Sequence, residues 1–474
     1  MVIKSVSTSK KIGIGIDFGT SNSAAAVFDG ERLRLVTLEQ QHAIIPSATY
    51  INRSLTAVTG QEAIDQYIED NTGRTVEMIP EVIGETSQFV EGEGGEGAPG
   101  EVDTVTDKVY GAPLTDSSMQ GRLFRGTKRL LGDEGVRRLM VFDHPFRLVA
   151  LITPLLLRIR QAIQADVGQF ADAHLGHPVN FEGRDQFSNQ LALSRLTEAY
   201  NYAGIKQSSF YPEPIAAAAS FLQAHPQTVG EYLLTLDFGG GTLDFCVLKR
   251  QRDQFVVVAT HGIGLGGDHL DQRLFRALIF PHLGRGESWR RRGFDREITT
   301  RFPFEDYEEL LVNWAVSYTL NQNKYTAPVL DCIAQEGPAK RKFERLRDVI
   351  QQNLSYVMFS RIREMKAQLS EVTSTRLDIP EIDLELEVSR AEFETLIAEP
   401  LQALAQALDT VVAKANLCHA DIDIVLRTGG SSLIPAVKDL LTDRFADRVV
   451  EHDPFTSVAA GLAIANYRGL QYSE

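Results

Sequence analysis

The sequence predicts an α/β chain of two similar lobes, each a sheet with flanking helices, and three observations carry this reading. The first is the segment 233–247, LLTLDFGGGTLDFCV, in which an apolar run ends at Asp237, three glycines follow, and Thr242 and Asp244 open a second apolar run. Such a pattern is a β-hairpin with a glycine-built tip. Gly239, Gly240 and Gly241 carry no side chain that would hold an anion away, so their amides can converge on a phosphate. Asp237, at the end of a strand, is placed to hold Mg²⁺ through its water shell; Thr242 offers a hydroxyl to a phosphate oxygen and Asp244 adds a second carboxylate. A plain turn accounts for three glycines but not for two acids at fixed places around them. The second observation is a partial copy at 12–28, IGIGIDFGTSNSAAAVF, where Asp17 answers Asp237, Gly19 answers Gly239 and Thr20 stands near the place of Thr242. The third is length, since 474 residues exceed what one hydrophobic core supports.

Composition narrows the class. With 48 basic against 63 acidic residues the net charge is −15, which argues against a nucleic-acid surface. Cys246, Cys332 and Cys418 are far apart and form no zinc spacing or disulfide framework, so a reducing, cytoplasmic setting is expected. No apolar leader precedes the first strand, and the apolar run 148–157 is too short for a bilayer and contains Pro154, so no membrane partner is expected.

Taken in order, residues 34–38 and 48–51 read as strands around Pro46, and 61–69 as a helix. The stretch 91–101, EGEGGEGAPGE, is too poor in apolar residues to order itself and reads as a mobile loop. Lys128 in LFRGTKRLLGD reads locally as a solvated charge. Residues 148–164 carry Leu151, Leu155 and Ile159 at helical spacing. HPVNF at 177–181 reads as a strand and 184–202 as a helix, closed by Gly204 in a left-handed position. Glu213 precedes a helix whose first turn takes Pro214, where a carboxylate is favoured in any case. Residues 255–260 form a strand and Asp268 starts a helix after Gly266-Gly267. The basic stretch 284–294 reads as a solvated loop, and 304–320 and 342–369 as helices of an insert. On the last of these, Leu354, Met358, Ile362, Met365 and Leu369 make one apolar stripe and leave Arg363, Lys366 and Ser370 on another face. Finally 423–427 is a strand, Gly429-Gly430-Ser431-Ser432 a tight loop before a helix opened by Pro435, and 458–467 a last apolar helix.

The ordered set DFGTSN (17–22), TKRLLG (127–132), HPVNF, EPIAAAA (213–219), LDFGGGTLD (236–244), GLGGDHLD (264–271), MKAQLS (365–370) and TGGSSLIP (428–435) resembles the nucleotide-binding domain of DnaK-type heat-shock chaperones, the Hsp70 family, most closely its short YegD-like members. The resemblance runs from about Ile12 to about Ala463. It implies the two-lobed actin-like ATPase fold with ribonuclease H-like lobes: 1–226 with an insert at 46–144, and 227–474 with an insert at 267–394. It also implies that ATP and Mg²⁺ are bound and hydrolysed, with Asp17 and Asp237 on the metal's water and Gly19, Thr20, Ser21, Asn22, Gly239, Gly240, Gly241, Thr242 and Gly267 around the phosphates. Lys128 would place the attacking water, with Asp244 and Glu213 orienting water and metal. Lys366, Ser370, Gly429, Gly430, Ser431 and Leu433 would line the adenosine pocket. Three positions depart from the family: Leu433 replaces an arginine that packs on adenine, Arg363 replaces an acid near the ribose, and Ala367 replaces a basic residue. No peptide-binding domain is expected after the last helix, and an unidentified protein partner or co-chaperone would read the nucleotide state. A metabolite kinase of the same superfamily, or an ATP-dependent filament or scaffold protein, are the alternatives.

Overall fold

The computed structural model describes residues 11–91, 102–170, 172–178, 181, 186–227, 230–251, 254–292 and 297–472. The expected mobile loop at 91–101 therefore lies, apart from Glu91, outside the described residues.

Each lobe is organised around one of the two hairpins. In the first, β1 (Gly13–Phe18) and β2 (Asn22–Phe28) pair antiparallel, β3 (Leu33–Leu35) extends the sheet beyond β2, and β4 (Asp172–His177) and β5 (Gln207–Pro212) follow β1 in parallel. In the second, β6 (Tyr232–Phe238), β7 (Leu243–Gln251) and β8 (Gln254–Ile263) form the antiparallel part, and β9 (Ile424–Thr428) and β10 (Val449–Glu451) the parallel part. Both sheets thus carry the spatial order third, second, first, fourth, fifth. The likeness of the two hairpins extends to five strands around each, and the first sheet adds a short strand, Ile44–Pro46, paired with β2.

Helices cover these sheets because the central strands are apolar on both faces. In the first lobe α1 (Leu148–Val167) and α2 (Gln186–Tyr202) bury Leu151, Leu155, Ile159 and Leu196 in a core with Ile14, Ile16 and Leu175. Among the described residues α1 is the one helix long and apolar enough, by length and composition, to cross a membrane; it is longer than its apolar run suggested, and eight of its residues are buried in this protein. Gly204 ends α2 at φ 84°, as expected, with Ile205 N–H donating to Tyr200 O at 2.9 Å. The chain then forms α3 (Glu213–Ala224) and, in the second lobe, α4 (Gly267–Leu274), α5 (Ser355–Glu371), α6 (Ala398–Lys414), α7 (Pro435–Phe445) and α8 (Ser457–Arg468).

Two of these helices exchange partners between the lobes. Helix α8, last in the chain, packs on the first sheet, where Asn466 Oδ1 accepts from Ile14 N–H at 2.9 Å. Helix α3 shares a core with Leu233, Leu248 and Leu426 of the second sheet. The two cross at Gly461, where an added Cβ would lie 1.7 Å from Ala216 O. Backbone cannot retreat from such a clash without separating the helices. Gly461→Val is expected to cost at least about 3 kcal/mol of stability, the upper end for overpacking; a urea midpoint equal to that of the wild type would refute the close crossing.

The inserts differ from the sequence reading in several places. A three-stranded sheet (Ala57–Thr59, Ala48–Asn52, Gly121–Arg125) carries the helix Gln61–Asn71, and a long hairpin (Met78–Glu91 with Val102–Asp116) extends from it. Of the strand expected at 177–181, residues 179 and 180 lie outside the described residues; the strand that is described here runs earlier, over Asp172–His177, where pairing with β1 and β5 fixes it. The basic stretch expected as a solvated loop contains a strand, Ser288–Arg292, paired with Glu297–Arg301, and Trp289 packs at 6.4 Å from Phe302. The helix expected over 342–369 is two helices, Lys340–Gln351 and α5, broken where Asn353 takes φ 52°.

Candidate functional site

The two hairpin tips face each other across a cleft of about 800 Å³. Strand β1 delivers Asp17 and leads into Gly19, Thr20, Ser21 and Asn22; strand β6 delivers Asp237 and leads into Gly239, Gly240, Gly241 and Thr242. The tips touch, for a Cβ on Gly240 would fall 1.9 Å from Ser21 Oγ. Any side chain there would have to push the Ser21 hydroxyl aside. Helix α4 starts directly beneath the second tip, with Gly267 N–H donating to Gly239 O at 2.9 Å and Asp268 N–H to Gly240 O at 2.8 Å. Every residue singled out from the sequence lines this one cleft, including Lys128, Glu213, Asp244, Lys366, Ser370, Gly429, Gly430, Ser431 and Leu433.

The duplication is not exact in its acids. Asp237 stands directly across from Asp244 on β7, whereas the residue across from Asp17 is Ala24. The first lobe supplies its second carboxylate from Glu213 instead, the first residue of α3. Into this group comes Lys128, on a 3₁₀ turn Thr127–Leu130 that follows Gly126 at φ 66°. Its ammonium is 2.8 Å from Glu213 Oε1 and the residue is only 6% exposed. The solvated charge suggested by local sequence is therefore a buried cation. Burial alone would lower the Lys128 pKa, but the charges of Glu213, Asp17 and Asp237 hold it above its usual value.

The carboxylates are short of cations. Burial first, then Glu213, pushes Asp17 well above the ordinary range, and the same two causes raise Asp237 to about 6. Burial raises Asp244 to about 7, against the hydroxyl of Thr242, which donates to its Oδ2 at 2.7 Å. Such a cluster, gathered around one ammonium, suits a divalent cation, which would lower the cost of keeping these groups ionised. Among the described residues no three His, Cys, Asp or Glu side chains are grouped tightly enough to grip an ion directly. These residues fit an ion held through its water.

The other half of the cleft belongs to α5 and the loop after β9. Lys366 does not point freely into it: its ammonium sits 2.6 Å from the buried Asp271 and donates to Gly267 O at 3.0 Å. Ser431 Oγ donates to Gly239 O at 3.3 Å, tying the loop 429–433 to the phosphate tip. Ser370 Oγ donates weakly to Lys366 O at 3.4 Å. Arg363 lies over the Tyr356 ring, 5.5 Å from its centroid. The sequence reading missed several lining residues. Arg129 bridges the lobes by its contact with Asp268 at 3.0 Å, and Arg125, Asp271, Glu371, Glu451 and Phe455 also line the cleft. Arg129 adjoins Lys128 and Asp271 closes GLGGDHLD, both within motifs already quoted, whereas nothing local marks Phe455.

A family profile described as Hsp70 protein matches residues 187–282 and 322–467, about half of the chain. The chain belongs to the Hsp70 family. It is similar to Chaperone protein DnaK 3 of Synechococcus sp., 24% identical over 476 residues that cover 95% of this chain and 57% of that relative. It is 25% identical to Heat shock 70 kDa protein BIP3 of Oryza sativa subsp. japonica, with 95% and 56% covered, and 24% identical to Heat shock 70 kDa protein 13 of Pongo abelii, with 95% and 87% covered. The chain thus spans little more than half the length of the first two of these relatives. The repeated sheet order is that of the two-lobed actin-like ATPase fold.

In this Hsp70-family chain the two inserts meet in an aromatic cluster. Tyr67 of the first insert lies 5.8 Å from Trp314 and 5.3 Å from Tyr356 of the second, ring centroid to centroid, in edge-to-face geometry. Tyr67 and Tyr356 are buried. Polar contacts reinforce the junction: Gly73 N–H donates to Gln352 O at 2.9 Å, Asn353 Nδ2 to Asn71 O at 3.1 Å, and Arg125 Nη1 to the Tyr356 hydroxyl at 3.2 Å.

Proposed function

We propose that this chain binds ATP with Mg²⁺ in the interlobe cleft and hydrolyses it by in-line attack of water, the lobes opening and closing for a protein partner to read. The observation that carries the reading is the meeting of two glycine tips, four largely buried carboxylates and one buried lysine in a single cleft. Backbone amides at the tips would receive the phosphates. Asp17 and Asp237 would hold Mg²⁺ through its water, and the bound ion would supply charge neutralisation on the phosphate oxygens. Glu213 fixes the Lys128 ammonium, which would hold the attacking water in line, while Asp244, steadied by Thr242, would accept hydrogen bonds from water. Catalysis of this kind rests on positioning and electrostatics. A reducing, cytoplasmic compartment agrees with three unpaired cysteines.

Phosphate release from Mg-ATP by the purified chain tests this. Inorganic phosphate independent of any acceptor is the expected product; a phosphorylated small molecule would replace the ATPase reading by a kinase.

The aromatic junction predicts how nucleotide leaves. Each edge-to-face pair contributes about 0.5–1.5 kcal/mol, and Tyr67 makes two such pairs across the lobes. Tyr67→Ala is therefore expected to speed release of a fluorescent ADP roughly five- to hundred-fold. Stopped-flow release at the wild-type rate would show that the junction does not limit opening.

A further inference from the structure

We propose that Phe455 is the stacking wall of the nucleoside pocket and supplies most of this chain's hold on the base, an inference that rests on the ATP reading above. Large apolar side chains exposed among the described residues are scattered over the surface, and Phe455, 40% exposed, is the one that lines the cleft. Phe181, the other ring in the lining, is buried in the first lobe's core.

The turn that carries Phe455, between β10 and α8, is tightly fastened. Asp453 takes φ 33°, its Oδ1 accepts from Thr456 N–H at 3.2 Å, and its Oδ2 accepts from the Thr456 hydroxyl. Asp453 O accepts from Ser457 N–H at 3.1 Å, and Pro454 O accepts from Gly429 N–H at 2.8 Å. The last bond couples the turn to the glycine loop. The ring itself rests on that loop, since a Cβ on Gly430 would be 3.0 Å from Phe455 Cε1. A side chain so placed is preorganised, and its exposed area opens into the cleft.

Among the described residues no other group in this half of the cleft offers an equivalent surface. Leu433 has no planar face, and the Arg363 guanidinium is already laid over Tyr356. An aromatic ring stacks on any base, because every base has a π face, and truncating such a ring weakens binding by roughly five- to hundred-fold. The pocket should therefore hold ATP and GTP alike, by contact with the ring.

The test is calorimetric titration of Mg-ATP, Mg-GTP and inorganic tripolyphosphate with Mg²⁺ into wild type, Phe455→Ala and Phe455→Tyr. Phe455→Ala is expected to weaken both nucleotides by roughly five- to hundred-fold and to leave tripolyphosphate within about two-fold, with Phe455→Tyr restoring nucleotide affinity. Unchanged ATP affinity in Phe455→Ala would overturn the proposal, as would equal loss of ATP and tripolyphosphate, which would mean a collapsed turn. Wild type that binds tripolyphosphate as tightly as ATP would overturn the stacking wall and leave the phosphate site standing. Wild type that binds none of the three would overturn the ATP reading and this proposal with it.

Discussion

Lys128→Met is expected to lower ATP turnover by about 10²–10³-fold, the usual effect of removing one oriented donor from a site of developing charge. Methionine keeps the apolar stem of the side chain and removes only the ammonium. In this chain that ammonium is held 2.8 Å from Glu213 and faces Asp17 and Asp237, so its loss leaves largely buried carboxylates without their cation. Breaking a buried pair in this way costs about 3–5 kcal/mol. The variant should therefore unfold at lower urea in the absence of ligand, and Mg²⁺ should recover part of that loss. Turnover close to wild type would remove Lys128 from the chemistry, and unchanged stability would show that the pair contributes nothing to the fold.

Asp237→Asn is expected to move stability and activity in opposite directions. Asp237 is raised to about 6 and Asp244 to about 7 by burial. The folded chain thus keeps protons that the unfolded chain has already released. For such groups the contribution to stability is fully present below the unfolded value near 4 and is lost as pH rises through 6 and 7. Asp17, raised to about 8, extends the window, so the ligand-free protein should lose stability between about pH 4 and pH 8. An asparagine has almost the same shape and no charge to desolvate. It should raise ligand-free stability at pH 8 by about 2–3 kcal/mol, the free energy that separates a carboxyl titrating near 6 from one titrating near 4, and flatten the pH profile. Turnover should fall by at least about 10²-fold, as one carboxylate beside the metal's water is gone. A variant both less stable and less active would show that the side chain is structural.

How much was legible in the sequence depended on how local the signal was. The hairpin tips were legible because their acids and glycines lie within a few residues of one another, and the apolar stripe of α5 because its period is helical; Leu354, Met358, Ile362, Met365 and Leu369 are all buried. Strand β4 is not legible locally because DAHLGH, with its glycine and two histidines, has weak strand preference; pairing with β1 and β5 overrides it. The Ser288–Arg292 strand was hidden by its charge and is held by its partner strand and Trp289. At the site, the burial of Lys128 comes from Glu213, 85 residues away, and the capture of Lys366 by Asp271 spans the width of an insert. The junction of Tyr67 with Trp314 and Tyr356 and the approach of Phe455 to Gly430 are long-range or turn-dependent contacts. No periodicity or motif announces them.

Whether the carboxylates and Lys128 of this cleft turn over bound Mg-ATP is decided by a single-turnover experiment. Protein in excess over radiolabelled Mg-ATP is followed in parallel for wild type and Asp237→Asn. Wild type is expected to convert bound ATP to ADP and inorganic phosphate in one slow phase, while Asp237→Asn binds ATP and keeps it intact. Equal rates in the two proteins, or ATP that remains intact on the wild type, would rule out hydrolysis by these groups.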